Sequence, residues 1–144
     1  MSEFKRTFDV RWADLDPNNH MRHTAYNDYA AHVRLTTLAQ LGVSAKKLQE
    51  AKMGPVLFTE QINYFKELRP GESFTVDISV LASSQDQRKW KMKHNICKSD
   101  GSLAAEVIVT GAWLDLEIRK VKAPPEEIQT MLSKMPKDQN HETL

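Results

Sequence analysis

The chain begins with an alternation of apolar and polar side chains. Between residues 4 and 12, Phe4, Phe8, Val10 and Trp12 share one parity, while most of the polar side chains take the other. A period of two is typical of a β-strand with one buried face, so this pattern predicts a strand over residues 4–12.

A polar turn, DPNN, follows, and the period then becomes helical. Between Thr24 and Leu41 the apolar and aromatic side chains recur every three or four residues, which predicts one long amphipathic helix. Gly42 comes directly after this stretch and predicts its end, because glycine readily adopts the left-handed conformation that terminates helices.

Four later stretches have the composition of strands and are joined mostly by short turns. They are residues 56–65, 73–81, 88–96 and 103–116. Short turns favour antiparallel neighbours, and a single long helix needs the apolar face of a sheet to cover it. The order of elements therefore predicts an α+β domain with five antiparallel strands and one long helix.

The C-terminal part of the chain has a different character. Pro124 and Pro125 precede a short amphipathic stretch with helical spacing, and the residues after Met135 have almost nothing to bury. We therefore predict a main domain over residues 1–122, followed over residues 123–144 by a short helix and a flexible tail.

Composition narrows the class of protein. The 144 residues suit one domain, and a net charge of +1, from 20 basic and 19 acidic residues, provides no bulk field for binding nucleic acid. Cys97 is the only cysteine, which excludes an internal disulfide and fits a reducing compartment. Without a secretory signal or an apolar run of about 18 residues, we expect a cytoplasmic protein that does not insert into a membrane.

The densest group of reactive side chains lies between the first strand and the helix, in the stretch WADLDPNNHMRHTAYNDYA. Ten residues there contain two aspartates, two asparagines and two histidines: Asp14, Asp16, Asn18, Asn19, His20 and His23. So many short polar groups are unsuited to a core, and they are denser than a simple turn requires.

Three of the possible roles for this cluster do not involve catalysis. A calcium loop would need glycine at its sixth position and glutamate at its twelfth, where the chain has Asn19 and Ala25. A transition-metal site built on His20 and His23 lacks a third ligand at an obvious spacing. The third possibility is structural, with an aspartate capping the turn.

The fourth possibility is acyl transfer. The first turn of a helix presents unpaired N–H groups and a positive partial charge, which can hold a carbonyl oxygen as it becomes an oxyanion. A carboxylate a few residues upstream can attack the same carbonyl or deprotonate a water molecule that does. The segment from Asp14 to Thr24 places both parts within reach of each other.

These motifs resemble a known family. A strand followed by D-x-D-P, a histidine, A-x-Y, a long helix and four strands is similar to the hotdog-fold thioesterases, in particular to the 4-hydroxybenzoyl-CoA thioesterase and YbgC-like branch. The residues that carry the resemblance are Trp12, Asp14, Asp16, Pro17, His23 and Tyr26, with the NYFKELRPGE segment at 63–72. The resemblance covers roughly residues 4–122.

The resemblance implies a fold, an assembly and a set of functional residues. It implies a five-stranded antiparallel sheet wrapped around one long central helix, in a homodimer or homotetramer with active sites at subunit interfaces. It implies acyl-CoA hydrolysis without a metal or other cofactor, coenzyme A being part of the substrate. Asp16 would be the nucleophile or general base, and the backbone N–H at His23 would polarise the carbonyl. Where many relatives carry glycine, this chain has Asn18 and Asn19.

Further residues are candidates for binding substrate. His20, Thr24 and Tyr26 flank the start of the helix, although packing is the simpler role for His20 and Tyr26. Lys89 and Lys91 lie on one face of a predicted strand. Such lysines either keep a strand soluble or contact the phosphates of coenzyme A.

Two other functions remain open at this point. A hotdog hydratase or dehydratase resembles D-x4-H after glycine, whereas three residues separate Asp16 from His20 here and five separate Asp14 from His20. A non-catalytic acyl-CoA-binding domain tends to lack the acid that this chain retains. An assay of thiol release from acyl-CoAs separates these functions.

Overall fold

The computed structural model describes residues 4–144, so residues 1–3 of the predicted domain lie outside the described residues. Three α-helices, a short 3₁₀ helix (Trp12–Asp14) and eight strands make up the regular structure of this part of the chain. The helices are α1 (Ala25–Gln40), α2 (Ala45–Ala51) and α3 (Glu126–Leu132). The strands are β1 (Arg6–Asp9), β2 (Met53–Tyr64), β3 (Ser73–Val76), β4 (Ser79–Ser83), β5 (Lys89–Lys98), β6 (Leu103–Asp115), β7 (Lys120–Val121) and β8 (Lys137–Thr143).

The long helix is confirmed, since α1 lies within one residue of the predicted bounds at each end. Gly42 follows it with φ of +102°, a left-handed conformation that favours glycine. The strands β2, β5 and β6 likewise fall on predicted segments, although β2 begins three residues earlier than expected, at Met53.

The predicted strand over residues 73–81 is divided into β3 and β4 in the structure. Asp77 lies at the break, where its carboxylate Oδ1 accepts a hydrogen bond from the backbone N–H of Asn95 at 2.6 Å. At this point a side chain, and not a backbone carbonyl, accepts the hydrogen bond from the neighbouring strand. The alternation of residues along the segment did not predict this break.

Contacts between Cα atoms group the chain into two compact units, and the first contains the N-terminal segment up to Arg34 together with Gln61–Ile78 and Lys93–Ile108. In this unit β1 pairs antiparallel with β3, with Phe8 opposite Phe74, and β3 pairs antiparallel with β5. The ring of Tyr29, on α1, packs with its centroid 4.9 Å from those of both Phe8 and Phe74. This aromatic contact joins the first half of α1 to the sheet.

The second unit contains Leu35–Glu60, Ser79–Met92 and Val109–Leu144. Here β4 pairs in parallel with β8, and β6 pairs antiparallel with β7. Gly111 on β6 lets the Trp90 ring and the Val56 backbone lie close to its own backbone. A Cβ atom at this position would lie 2.5 Å from the ring of Trp90 and 2.3 Å from the carbonyl oxygen of Val56.

The C-terminal segment only partly matches its prediction. The short helix is present as α3, but the residues expected to form a flexible tail form strand β8. The backbone N–H of Leu144 donates to the Ser83 carbonyl at 2.8 Å, and Ser83 Oγ lies 3.0 Å from His141 Nε2. Backbone pairing needs no apolar side chains, which is why the polar composition of this tail did not reveal it. The domain boundary after residue 122 stays a prediction.

Among the helices within residues 4–144, none combines the length and the apolar character needed to cross a membrane.

Candidate active site

The polar segment before α1 folds into a tight hairpin. Leu15 and Met21 form an isolated antiparallel bridge, and the backbone N–H of Asp16 donates to the His20 carbonyl at 2.9 Å. Asn19 has φ of +62°, in the left-handed region that asparagine tolerates better than most residues. Its backbone therefore adopts a conformation that glycine also favours.

The Asp16 carboxylate is held by its own turn. Its Oδ1 accepts hydrogen bonds from the backbone N–H groups of Asn18 at 2.9 Å and of His20 at 3.3 Å. Its Oδ2 lies 3.1 Å from Nδ1 of the His20 ring. With about 20% of its side chain exposed, Asp16 still reaches the surface of a neighbouring cleft. The side chain thus has both a structural role and access to the cleft.

This cleft has a volume of about 440 Å³ and collects most of the residues that the sequence singled out near the helix. The residues that line it are Asp16, His20, Met21, His23, Tyr26, Tyr64, Phe65, Lys66 and Glu67. Acidic, basic and aromatic side chains therefore share one cavity at the start of α1.

The backbone at the start of α1 leaves two amides available. The N–H groups of residues 21, 22 and 25 each donate to a backbone carbonyl. For His23 and Thr24, no hydrogen bond from the backbone N–H is found to any of the residues that the structure describes. Unpaired amides at the N-terminal end of a helix can bind an anionic oxygen.

Two tyrosines form the aromatic wall of the cleft. The Tyr26 and Tyr64 rings meet edge to face, with centroids 5.2 Å apart and an interplanar angle of 87°. The Tyr64 hydroxyl donates to the backbone carbonyl of His23 at 3.1 Å. Burial raises the pKa of Tyr26 to about 12, with smaller contributions from Tyr64 and nearby acids.

Asp14 does not line the cleft, and it braces the hairpin. It is 1% exposed, accepts hydrogen bonds from Arg11 Nε and Nη2, and accepts one from the Tyr29 hydroxyl at 2.5 Å. Burial by itself would raise the pKa of Asp14, but the hydrogen bonds from Arg11 and Tyr29 outweigh it and lower the pKa. Its contacts are those of a structural residue.

Lys66 and Glu67 are residues of the cleft that sequence reasoning missed. Glu67 Oε1 lies 3.8 Å from Nε2 of His20, on the opposite side of the ring from Asp16. Leu68, beside it, is fully buried and accepts the Met21 amide at 2.7 Å, which fixes the loop after β2 against the hairpin. The resemblance had marked the segment 63–72, but a loop contact across this distance in sequence has no local signal.

Other predicted binding residues lie apart from this cavity. Thr24 does not line the cleft with its side chain, although its amide is available. Lys89 and Lys91 are exposed, belong to the second unit and do not line the cleft. Within residues 4–144, no three His, Cys, Asp or Glu side chains are grouped so that they could hold a metal ion. The expectation that catalysis needs no cofactor stays a prediction.

The fold and this site define a class of protein, an α+β hotdog thioester hydrolase. The family described as the thioesterase-like superfamily matches residues 10–132. The match covers most of the chain, so this protein belongs to the thioesterase-like superfamily. The fold and enzyme class that the sequence predicted are thereby confirmed.

Solved structures agree with this assignment. The hypothetical protein SAV2348 from Staphylococcus aureus, studied in complex with CoA, aligns with a TM-score of 0.86 and 26% identity over 98% of this chain and 87% of its own. Slr0204, a 1,4-dihydroxy-2-naphthoyl-CoA thioesterase from Synechocystis, aligns with a TM-score of 0.80 and 16% identity over 91% of this chain and 96% of its own.

The DHNA-CoA thioesterase from Staphylococcus aureus aligns with a TM-score of 0.78 and 19% identity over 90% of this chain and 88% of its own. At these identities, Slr0204 and the DHNA-CoA thioesterase establish the fold alone. No curated protein matches the chain.

Proposed function

We propose that this protein hydrolyses acyl-CoA thioesters to a free carboxylate and coenzyme A in the cleft at the start of α1. The observation that carries the proposal is that the Asp16 carboxylate lines the same cleft as His23, whose backbone N–H is unpaired. Thioester hydrolysis needs both a group that activates the nucleophile and donors for the oxyanion.

Asp16 acts as a general base in this mechanism. It takes a proton from a water molecule as the water oxygen attacks the thioester carbonyl carbon. Direct attack by Asp16 would require a carboxylate oxygen to leave its hydrogen bonds to Asn18 and His20 and approach to bonding distance. Proton transfer requires only hydrogen-bond reach, so the arrangement of the turn favours the general-base route.

His20 holds Asp16 in position, and the helix amides hold the developing charge. The thioester carbonyl oxygen becomes an oxyanion and accepts hydrogen bonds from the backbone N–H groups of His23 and Thr24. Collapse of the tetrahedral intermediate breaks the carbon–sulfur bond, and the proton held by Asp16 passes to the departing thiolate. The acid formed then loses its proton to solvent and becomes the carboxylate, so atoms and charge balance with one water consumed and no cofactor.

The substrate class rests on the family and on a similar structure. The SAV2348 protein, at 26% identity, was studied in complex with CoA. The cleft offers an apolar wall to an acyl group through Tyr26, Tyr64 and Phe65. We further propose that Lys89 and Lys91 contact the nucleotide phosphates of coenzyme A in the homo-oligomer.

The active form is proposed to be a homo-oligomer, a dimer or a tetramer. Support comes from β2, which pairs only with β6 among the strands within residues 4–144 and which carries large exposed apolar side chains at Leu57 and Phe58. Phe65 is 57% exposed although it lines the cleft, which leaves an apolar surface for a second copy to cover. Cytoplasmic location is part of the same proposal.

Release of free thiol from a panel of short, long and aromatic acyl-CoAs tests the proposal. We expect turnover with at least one acyl class, appearance of one carboxylate per thiol, and no requirement for an added metal. A hydratase would instead consume an enoyl-CoA without releasing thiol, and a binding domain would retain acyl-CoA unchanged. Either result would replace the proposed function.

A further inference from the structure

Tyr26 and Tyr64 line the same cleft but differ in their hydrogen bonding. The Tyr64 hydroxyl uses its proton within the protein, in the bond to the His23 carbonyl. Tyr26 is only 3% exposed, and no hydrogen bond to its hydroxyl is found among the described residues. A tyrosine that is almost entirely buried thus keeps an unused donor in a cavity that it lines.

An unused donor on the wall of a cleft is available to a ligand. The Tyr26 ring is buried while its hydroxyl keeps access to the cleft, and a tyrosine hydroxyl in such a position usually finds an acceptor. The described chain supplies none for Tyr26. An acceptor atom on a bound ligand would satisfy it.

The protonation state of Tyr26 fits a donor. Burial raises its pKa to about 12, and the negative charges of Asp16, Glu67 and Glu72 add to the shift. The hydroxyl therefore keeps its proton at neutral pH. Tyr26 and Asp16 line the same cleft, so the group that Tyr26 meets is a hydrogen-bond acceptor in the cavity that Asp16 also lines.

The position of Tyr26 in α1 identifies that acceptor. Tyr26 is the second residue of the helix and follows Thr24 by two positions, next to the unpaired amides. We propose that the Tyr26 hydroxyl donates a hydrogen bond to the thioester carbonyl oxygen and keeps it as the oxygen becomes an oxyanion. Tyr26 is thus a third donor beside the amides of His23 and Thr24. This inference rests on the proposed thioesterase function.

The proton of Tyr26 does not move during the reaction. The water oxygen forms the new bond to carbon, Asp16 takes the proton of the water, and the departing thiolate receives it. Tyr26 stabilises negative charge on the carbonyl oxygen without becoming charged, which its high pKa favours.

A matched pair of Tyr→Phe variants separates this role from a structural one. Tyr26→Phe removes the hydroxyl without a partner, whereas Tyr29→Phe removes a hydroxyl that donates to Asp14 outside the cleft. We expect Tyr26→Phe to lower kcat by about a hundredfold, the scale of a lost oxyanion donor, with little change in KM. Its melting temperature should equal or exceed that of wild type.

Tyr29→Phe should show the reverse pattern. Its melting temperature should fall because a buried hydrogen bond to a carboxylate is lost, and its kcat should stay within about twofold of wild type because that bond lies outside the cleft. A fall in melting temperature for Tyr26→Phe as large as that for Tyr29→Phe would assign the Tyr26 hydroxyl to the core and overturn the inference.

Infrared spectroscopy adds a direct readout. A CoA analogue in which CH₂ replaces the thioester sulfur keeps the carbonyl but cannot be hydrolysed. Its bound carbonyl stretch should lie at lower frequency in wild type and Tyr29→Phe than in Tyr26→Phe. An S-alkyl-CoA, which lacks the carbonyl, should bind wild type and Tyr26→Phe equally.

The outcomes distinguish this inference from the function on which it rests. A wild type that releases no thiol from any acyl-CoA would overturn the proposed function and this inference together. A wild type that hydrolyses acyl-CoA, with Tyr26→Phe matching it in kcat and in carbonyl frequency, would overturn the inference alone. A loss in Tyr26→Phe confined to substrates with a polar group on the acyl chain would also overturn it and would place the donor at that group.

Discussion

Asp16 and His20 contact each other across one tight turn, with carboxylate Oδ2 lying 3.1 Å from imidazole Nδ1. The same carboxylate accepts two backbone N–H groups of the turn through Oδ1. The turn therefore holds the carboxylate in one orientation beside the cleft. Its hydrogen bonds also make Asp16 a structural residue, so activity and stability must be measured separately in any variant of it.

Replacing Asp16 with asparagine should abolish most of the activity. The amide retains an oxygen that can accept the turn amides but cannot take a proton from water, so we expect kcat to fall by about a hundredfold or more. Asp100→Asn is the matched control, because Asp100 Oδ1 accepts the Ser102 amide in the same type of turn, at 2.8 Å, outside the cleft. Thiol release by both variants, with thermal unfolding, checks the prediction. Full activity of Asp16→Asn would remove Asp16 from the mechanism.

Substitution of His20 should reveal whether its ring positions Asp16 or transfers protons. His20→Ala removes the donor to Asp16 and should lower kcat about tenfold, on the scale of one hydrogen bond to a charged group. His20→Asn supplies an N–H close to the position of Nδ1 and should restore much of the rate. Equal losses in both variants would show that the imidazole itself carries a proton.

The role of His23 should prove to be confined to its backbone. His23→Ala keeps the main-chain N–H and the carbonyl that accepts from Tyr64, so we expect kcat within about threefold of wild type, far less than the loss of an oxyanion donor. Steady-state kinetics with the best substrate of the panel makes the comparison. A loss as large as that of Asp16→Asn would assign catalysis to the His23 ring.

Lys89 and Lys91 should affect binding of coenzyme A through charge. Replacing both with glutamine should raise KM several-fold and weaken its dependence on salt, with kcat unchanged, because screening acts on exposed charges. Lys134 and Lys137 are exposed lysines elsewhere, and their double replacement is the control. A KM equal to wild type at low salt would leave Lys89 and Lys91 as solubilising residues of the strand.

The free energy of unfolding should fall as the pH falls, because of a buried histidine, His94, that does not line the cleft. His94 is fully buried, with Nε2 3.0 Å from an Arg34 nitrogen and Nδ1 2.8 Å from the Asp77 carbonyl. Burial, and then the positive charge of Arg34, lower its pKa to about 3. The folded protein thus favours the neutral ring, and this stabilisation is fully present above the unfolded value of about 6.5 and is lost as the pH falls towards the folded value.

We expect the free energy of unfolding to be roughly 2 kcal/mol lower at pH 5 than at pH 7 because of this histidine. Urea denaturation at the two pH values measures the change, and His94→Gln should remove most of it. An equal pH dependence in the variant would assign the effect to other groups.

Elements with a local side-chain pattern could be predicted before the structure was known. The spacing of three and four residues from Thr24 and the glycine at position 42 predicted α1 within one residue at each end, and strand-like composition predicted β5 and β6. The DPNN turn before α1 was predicted from its turn-forming residues, and the motif around Asp16 led to the family. These features depend on neighbours in the chain, which a sequence displays directly.

Features that depend on residues far apart in the chain are visible only in the folded protein. The approach of Glu67 to His20 joins residues 47 positions apart, and β8 forms by backbone pairing that leaves no apolar pattern. The sequence likewise could not predict which of the two cleft tyrosines has a hydroxyl without a hydrogen-bond partner. Whether a polar atom has a partner depends on where the folded chain places every other polar atom, and no local pattern of residues contains that information.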